Sequence, residues 1–126
     1  MLHVYKTYFP ATQGGLEETI RQSARATTAQ GVSNRVLTLC PGRRERVVER
    51  EEATVVCYRK HLEVASCGMS LSALAAFRRE AREADIVHYH FPWPFADLMH
   101  LLGAVEVPTV VTYHSDIVRQ RTLGRF

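Results

Sequence analysis

Two histidines one residue apart, His88 and His90, flank Tyr89 inside the otherwise apolar stretch Ile86 to Phe91. In an extended segment side chains alternate, so both imidazoles project to the same face. A metal reading of this His-x-His pair needs a third ligand, for which His114 or Asp116 would have to approach. The preferred reading has no metal: His88 hydrogen-bonded beneath a covering helix, His90 facing the rim at the strand end. A second polar group, His114-Ser115-Asp116, follows the apolar run Thr109 to Tyr113. An imidazole there can donate to a phosphate or a sugar hydroxyl and can move a proton near neutrality. His114 is therefore the catalytic candidate, with Asp116 beside it. Ser115 makes a poor nucleophile, because no GxSxG elbow surrounds it and His114 precedes it directly in the chain.

A third group is Gly14-Gly15, placed just before a helical pattern. The first N–H groups of a helix and its positive dipole end suit an anion, and glycines let backbone approach a ligand closely. The plainer reading is a turn before a helix. Thr12-Gln13-Gly14-Gly15-Leu16-Glu17 contains no GxGxxG, which disfavours a dinucleotide site. Glu17 and Glu18 fall in the first helical turn, where carboxylates are favoured, and either could reach a sugar hydroxyl. Phe91, Trp93 and Phe95 surround Pro92 and Pro94, and could stack on a sugar or pack as a rigid turn.

The elements that must position these groups can be read from periodicity. Residues 2–9 are aromatic and branched, as strands are. Leu16, Ile20, Ala24 and Thr27 recur at helical spacing, and Gly31 follows as a stop. Residues 35–39, 54–58, 86–91 and 109–113 read as strands, with a further short one at 63–66. A helix with Leu74, Phe77, Ala81 and Ala84 on one stripe lies between Ser70 and Asp85, with Ser70 or Ser72 as its cap. Phe95 to Leu102 makes a short apolar helix ending at Gly103. The mixed charges from Gly42 to Glu52 suggest a solvated hairpin or loop.

Alternating strands and helices imply an α/β fold, a Rossmann-like doubly wound parallel sheet in the order 3-2-1-4-5. Ligands of such sheets bind beyond the carboxyl ends of the strands, where strand order reverses. The glycine pair, His90 and His114 should therefore meet along one rim.

Composition narrows the class further. With 126 residues, 46% hydrophobic and 23% charged, the chain fits one globular domain, 1–126. Sixteen basic against 13 acidic side chains leave a formal charge of +3, too small to argue for nucleic acid. The arginine groups Arg43-Arg44-Arg46 and Arg78-Arg79-Arg82 are diluted by acidic neighbours, so peripheral contact with an anionic membrane is a minor reading. No apolar run approaches the ~20 residues of a membrane span, and the first residues do not resemble a signal peptide. Cys40, Cys57 and Cys67 are odd in number and lack CxxC spacing. They argue against a disulfide scaffold and for small core residues in a reducing cytoplasm.

Three stretches together resemble the glycosyltransferases of family GT4, which have the GT-B fold. Pro10 to Glu18 (PATQGGLEE) is similar to their opening "P…GG.E" loop, Ala84 to Pro92 (ADIVHYHFP) to their "aDivHvH.p" strand, and Pro108 to Asp116 (PTVVTYHSD) to their "p.v.t.Hd" strand. The resemblance covers nearly the whole chain. It implies the N-terminal, acceptor-side half of an enzyme that moves a hexose, mannose being one candidate. The donor would be a GDP- or UDP-linked sugar, the acceptor a polysaccharide or glycolipid, and the transfer retaining. No further cofactor is expected. On this carry-over Gly14 and Gly15 lie near the donor phosphates, His114 near the transferring sugar, and His90 near the cleft. Asp116 and Glu18 are further binding candidates.

The family's C-terminal half supplies a Lys or Arg for the diphosphate and a Glu pair for the sugar nucleotide, and neither occurs in these 126 residues. The expectation is a chain inactive alone, completed by a C-terminal domain or a partner chain, cytoplasmic or peripheral at the inner membrane face. The surface that would meet the other half, including Phe91, Trp93, Leu123 and Phe126, should then be open and could support a homodimer. The competing reading is a non-catalytic, flavodoxin-like binding module.

Overall fold

The computed structural model describes residues 1–9, 14–40, 45–60, 62–64, 67–103 and 105–113. Strands β1 (Leu2–Val4), β2 (Arg35–Cys40), β4 (Thr54–Arg59), β7 (Val87–Phe91) and β8 (Thr109–Tyr113) form a parallel sheet. Strand β3 (Arg46–Glu49) adds to the β4 edge in antiparallel sense, giving the order β3-β4-β2-β1-β7-β8. The five parallel strands thus run in the predicted order, and part of the charged segment forms the outer arm of a hairpin. A separate pair, β5 (Leu62–Val64) with β6 (Cys67–Met69), stands where one short strand was expected.

Register divides the sheet into two faces. Leu2, Val4, Leu37, Val56, Tyr58, Val87 and Tyr89 share one face, and helices α2 (Leu71–Arg82) and α3 (Pro94–Gly103) cover it. Phe77 of α2 packs on Tyr89 with ring centroids 6.2 Å apart, and the Tyr89 hydroxyl meets His100 Nδ1 of α3 at 2.7 Å. The opposite face carries His3, Val36, Val55, His88 and His90, and α1 (Gly15–Thr28) lies over it. Helices on both faces are what a parallel sheet with apolar strands requires.

Local chemistry explains the helix ends. Ser70 Oγ accepts from the Ala73 N–H at 3.0 Å and starts α2. Past α1, Gly31 takes φ +92°, which only glycine adopts without strain. The stripe of α2 differs from expectation at one position. Glu80 is buried, because Arg35 donates to both its oxygens at 3.1 and 3.2 Å and the Tyr58 hydroxyl donates at 2.8 Å. A buried charge survives only with partners of this kind.

One sequence expectation fails in the core. Trp93 is 1% exposed and Phe95 is buried beside it, their centroids 5.7 Å apart. Trp93 is therefore packed inward between two exposed prolines, and it belongs to no open face. Cys40 and Cys57 are buried as expected, and their sulfurs face each other in contact between β2 and β4. Exposed apolar side chains among the described residues include Leu98, Leu101 and Leu102 of α3, and Val110, Val111 and Tyr113 of β8.

Candidate active site

Strand order reverses at β1, with β2 and β4 on one side and β7 and β8 on the other. The crevice of such a sheet opens beyond the carboxyl ends of the strands at that point. The first helix starts there. Gly14 is its N-cap, and the Gly14 carbonyl accepts from the Glu18 N–H at 2.9 Å. Its backbone is extended (φ −165°), which any residue can adopt, so space is what glycine supplies. A Cβ on Gly14 would lie 2.9 Å from Glu17 Oε1, whereas one on Gly15 would meet nothing within 4 Å.

The two glutamates of the first turn differ. Glu17 is buried and accepts from the Thr7 hydroxyl at 3.0 Å. Glu18 instead accepts from Arg21 at 3.0 and 2.7 Å and from Gln22 at 2.6 Å, along the outer helix surface. Those bonds, from Arg21 first, hold the exposed Glu18 carboxyl below its ordinary range. Of the two, Glu17 is the carboxylate held beside the glycines, and Glu18 lies on the outer helix surface. Sequence carried the signal in the spacing GGxE, which ends on Glu17.

The loop after β1 is braced from the neighbouring strand side. The Tyr8 hydroxyl donates to Glu52 Oε2 at 2.8 Å, and Arg50 Nε donates to the same oxygen at 2.7 Å. Burial alone would raise the Glu52 carboxyl, but the bonds from Arg50 and Tyr8 outweigh it and leave its pKa lowered. Burial, then the bond to Glu52, pushes the Tyr8 phenol up. Phe9 is flanked by two guanidinium groups, Arg21 at 5.5 Å and Arg50 at 5.2 Å from its ring centre.

The His-x-His pair meets a third imidazole that sequence reading passed over. His3 of β1 is in direct register with His88, and both rings share a face with His90. His3 Nδ1 lies 3.1 Å from His90 Nε2, and His3 Nε2 lies 3.1 Å from Asn34 Oδ1. The Asn34 amide nitrogen donates to the Ala24 carbonyl at 3.1 Å and to the Thr27 and Thr28 hydroxyls at 3.0 Å. The orientation of Asn34 is thereby fixed, and its oxygen can only accept from His3 Nε2. Burial holds His3 down to about 4, with the Asn34 bond opposing and the His88 charge reinforcing. A neutral His3 with its proton on Nε2 has a bare Nδ1, so His90 Nε2–H is the donor between the two rings.

His90 is 1% exposed, so it does not face an open rim as expected. His88 is half-buried, and its Nε2 lies 2.6 Å from Thr112 Oγ1 of β8, so a strand, where a helix was expected, supplies its partner. The His88 and His90 rings stack at 4.1 Å. The signal for His3 was a polar residue between Leu2 and Val4 in the central strand, where a buried imidazole must find partners. His114 and Asp116 lie outside the described residues, as do Leu123 and Phe126.

A mostly parallel sheet, helices on both faces and a glycine-headed first helix at the switch point define the Rossmann-like class, here the N-terminal half of a GT-B fold. The family model described as Glycosyltransferase Family 4 matches residues 13–126, and the chain belongs to that family. It is 49% identical over 123 residues to the D-rhamnosyltransferase WbpZ of Pseudomonas aeruginosa, covering 98% of this chain and 32% of that protein. It is 42% identical over 123 residues to the O-antigen chain mannosyltransferase C of Escherichia coli, covering 98% of this chain and 33% of that protein. The chain thus spans about a third of the length of the curated relatives it matches. No solved structure matches it significantly. Among the described residues, no helix is long and apolar enough to cross a membrane.

Proposed function

We propose that this chain is the acceptor-side domain of a retaining glycosyltransferase that moves a hexose or 6-deoxyhexose from a GDP- or UDP-linked donor. The acceptor is a growing polysaccharide or its lipid-linked precursor. The observation that carries the reading is the match of 98% of the chain to a rhamnosyltransferase and a mannosyltransferase of one family. The glycine-headed N-terminus of α1 at the switch point supports it.

In the transfer, the bond from the anomeric carbon to the diphosphate breaks and a bond to the acceptor hydroxyl oxygen forms. The hydroxyl proton passes to the departing phosphate. Backbone N–H groups at Gly14 and Gly15 would steady the diphosphate as charge grows on it. His114 would face the transferring sugar, with Asp116 assisting in placing the acceptor, and Glu17 would orient the glycine loop. Positioning of two substrates and neutralisation of the leaving group dominate such chemistry. The domain supplies only part of both, so it is inactive without the donor side.

Joining residues 1–126 to the remaining two thirds of the P. aeruginosa D-rhamnosyltransferase tests this. The fusion should transfer sugar to a lipid-linked acceptor with the donor's anomeric configuration kept, and the isolated chain should not turn over. Inverted product, or turnover by the isolated chain, would overturn the proposal. His114→Ala in the fusion should lower kcat by at least about 100-fold.

A further inference from the structure

The cluster of His3, His88 and His90 goes beyond any transfer role. Each residue offers a ring nitrogen, and the three nitrogens lie within 4.8 Å of one another. We propose that these imidazoles form a binding site for one divalent transition ion of the zinc class, tying β1 to β7 beneath α1.

Distance favours chelation by two of the rings without backbone movement. His3 Nδ1 and His90 Nε2 are 3.1 Å apart, close to the ~3.4 Å between two ligands on a tetrahedral zinc at ~2.0–2.1 Å. Ligand chemistry fits as well. An all-imidazole set suits Zn²⁺, Co²⁺, Ni²⁺ or Cu²⁺ over Mg²⁺ or Ca²⁺. Metal-bound histidines are usually oriented by a bond from the other ring nitrogen. Here Asn34 Oδ1 holds His3 Nε2–H and aims the bare Nδ1 at the centre of the cluster. His88 reaches the ion by a side-chain rotation that gives up its contact with Thr112 Oγ1 and unstacks it from His90.

Without metal, His3 and His90 share the Nε2 proton of His90. On binding, His90 changes tautomer, its proton leaving Nε2 and Nδ1 becoming the protonated nitrogen, so both facing nitrogens become ligands. His88 is only half-buried, which leaves a path for the ion and a fourth position for water. A single such ion would cross-link two neighbouring strands at the reversal point of the sheet.

The test uses the 126-residue chain stripped with a chelator and then titrated with Zn²⁺ by calorimetry, with Co²⁺ as the spectroscopic probe. One equivalent should bind, with a rise in Tm and an intense visible Co²⁺ band of tetrahedral type. His3→Gln should weaken Zn²⁺ binding by about 100-fold or more, while His100→Gln, on the other sheet face, should leave it within about twofold. Histidine ring ¹⁵N spectra of the unmutated chain keep the test decisive if a variant fails to fold. Zn²⁺ must shift His3, His88 and His90. Absence of stoichiometric binding, or binding that shifts other histidines and spares these three, overturns the proposal.

Discussion

Asn34 sets the tautomer of His3. Its Oδ1 stands 3.1 Å from His3 Nε2, and its amide nitrogen is committed to the Ala24 carbonyl and two threonine hydroxyls at the end of α1. One side chain thereby links the covering helix to the central strand and dictates the direction of the hydrogen bond to His90. Asn34→Ala would orphan the buried His3 N–H and cut the side-chain link to the end of α1. A loss of about 2–3 kcal/mol in urea unfolding is expected, with Asn34→Asp no rescue because it cannot donate.

Stability should fall on acidification well before the carboxylates titrate. The folded chain keeps His3 neutral down to about 4, against an ordinary 6.5. Between those values the unfolded chain binds the extra proton, so stability rises with pH across the window and is lost as pH falls through it. The full effect is at most about 3 kcal/mol. Urea midpoints measured in EDTA from pH 7.5 to 4 should fall steadily, and His3→Gln should flatten the curve. Below about pH 4.5 the lowered Glu52 carboxyl adds a second loss of the same sign.

Two glycine substitutions should part company. A Cβ at Gly103 would meet Phe77 Cδ2 at 2.9 Å, and Phe77 is fully buried and cannot step aside. Gly103→Ala should cost about 1–3 kcal/mol. Gly15→Ala meets open space, so stability should hold within about 0.5 kcal/mol. If the N-terminus of α1 receives the donor diphosphate, the same Gly15→Ala should raise the donor KM of the fusion enzyme.

Glu80 is the buried charge of the α2 face, met by Arg35 and the Tyr58 hydroxyl. Glu80→Ala should lower stability by about 2 kcal/mol, short of a fully buried pair because the Arg35 side chain is 42% exposed. Tyr58→Phe should cost about 1 kcal/mol. Thermal unfolding of the two single variants and the double variant would reveal their coupling as non-additivity.

Much of the sheet was legible in the sequence, since runs of branched and aromatic residues locate β2, β4, β7 and β8 to within a residue or two. Strand order followed from a central first strand with the two later strands added to one side of it. Contacts between residues distant in sequence were not legible. His3 sits 85 residues before His88, and nothing local says that they are in register. Trp93 shows the same limit from the other side, because an aromatic between prolines reads equally as a surface platform or a packed turn. The Glu17–Glu18 pair was resolved only by helix phase, which buries the first and exposes the second.

Strand β8 ends the described sheet with Val110, Val111 and Tyr113 largely uncovered, although its inner edge is fully laddered to β7. Its outer backbone groups form a template that any extended peptide of suitable length can extend. A longer polypeptide would cap that template with its own next strand, and two short ones could zip together through it. How such a protein is cut for expression will therefore decide whether it stays in solution or grows into aggregates.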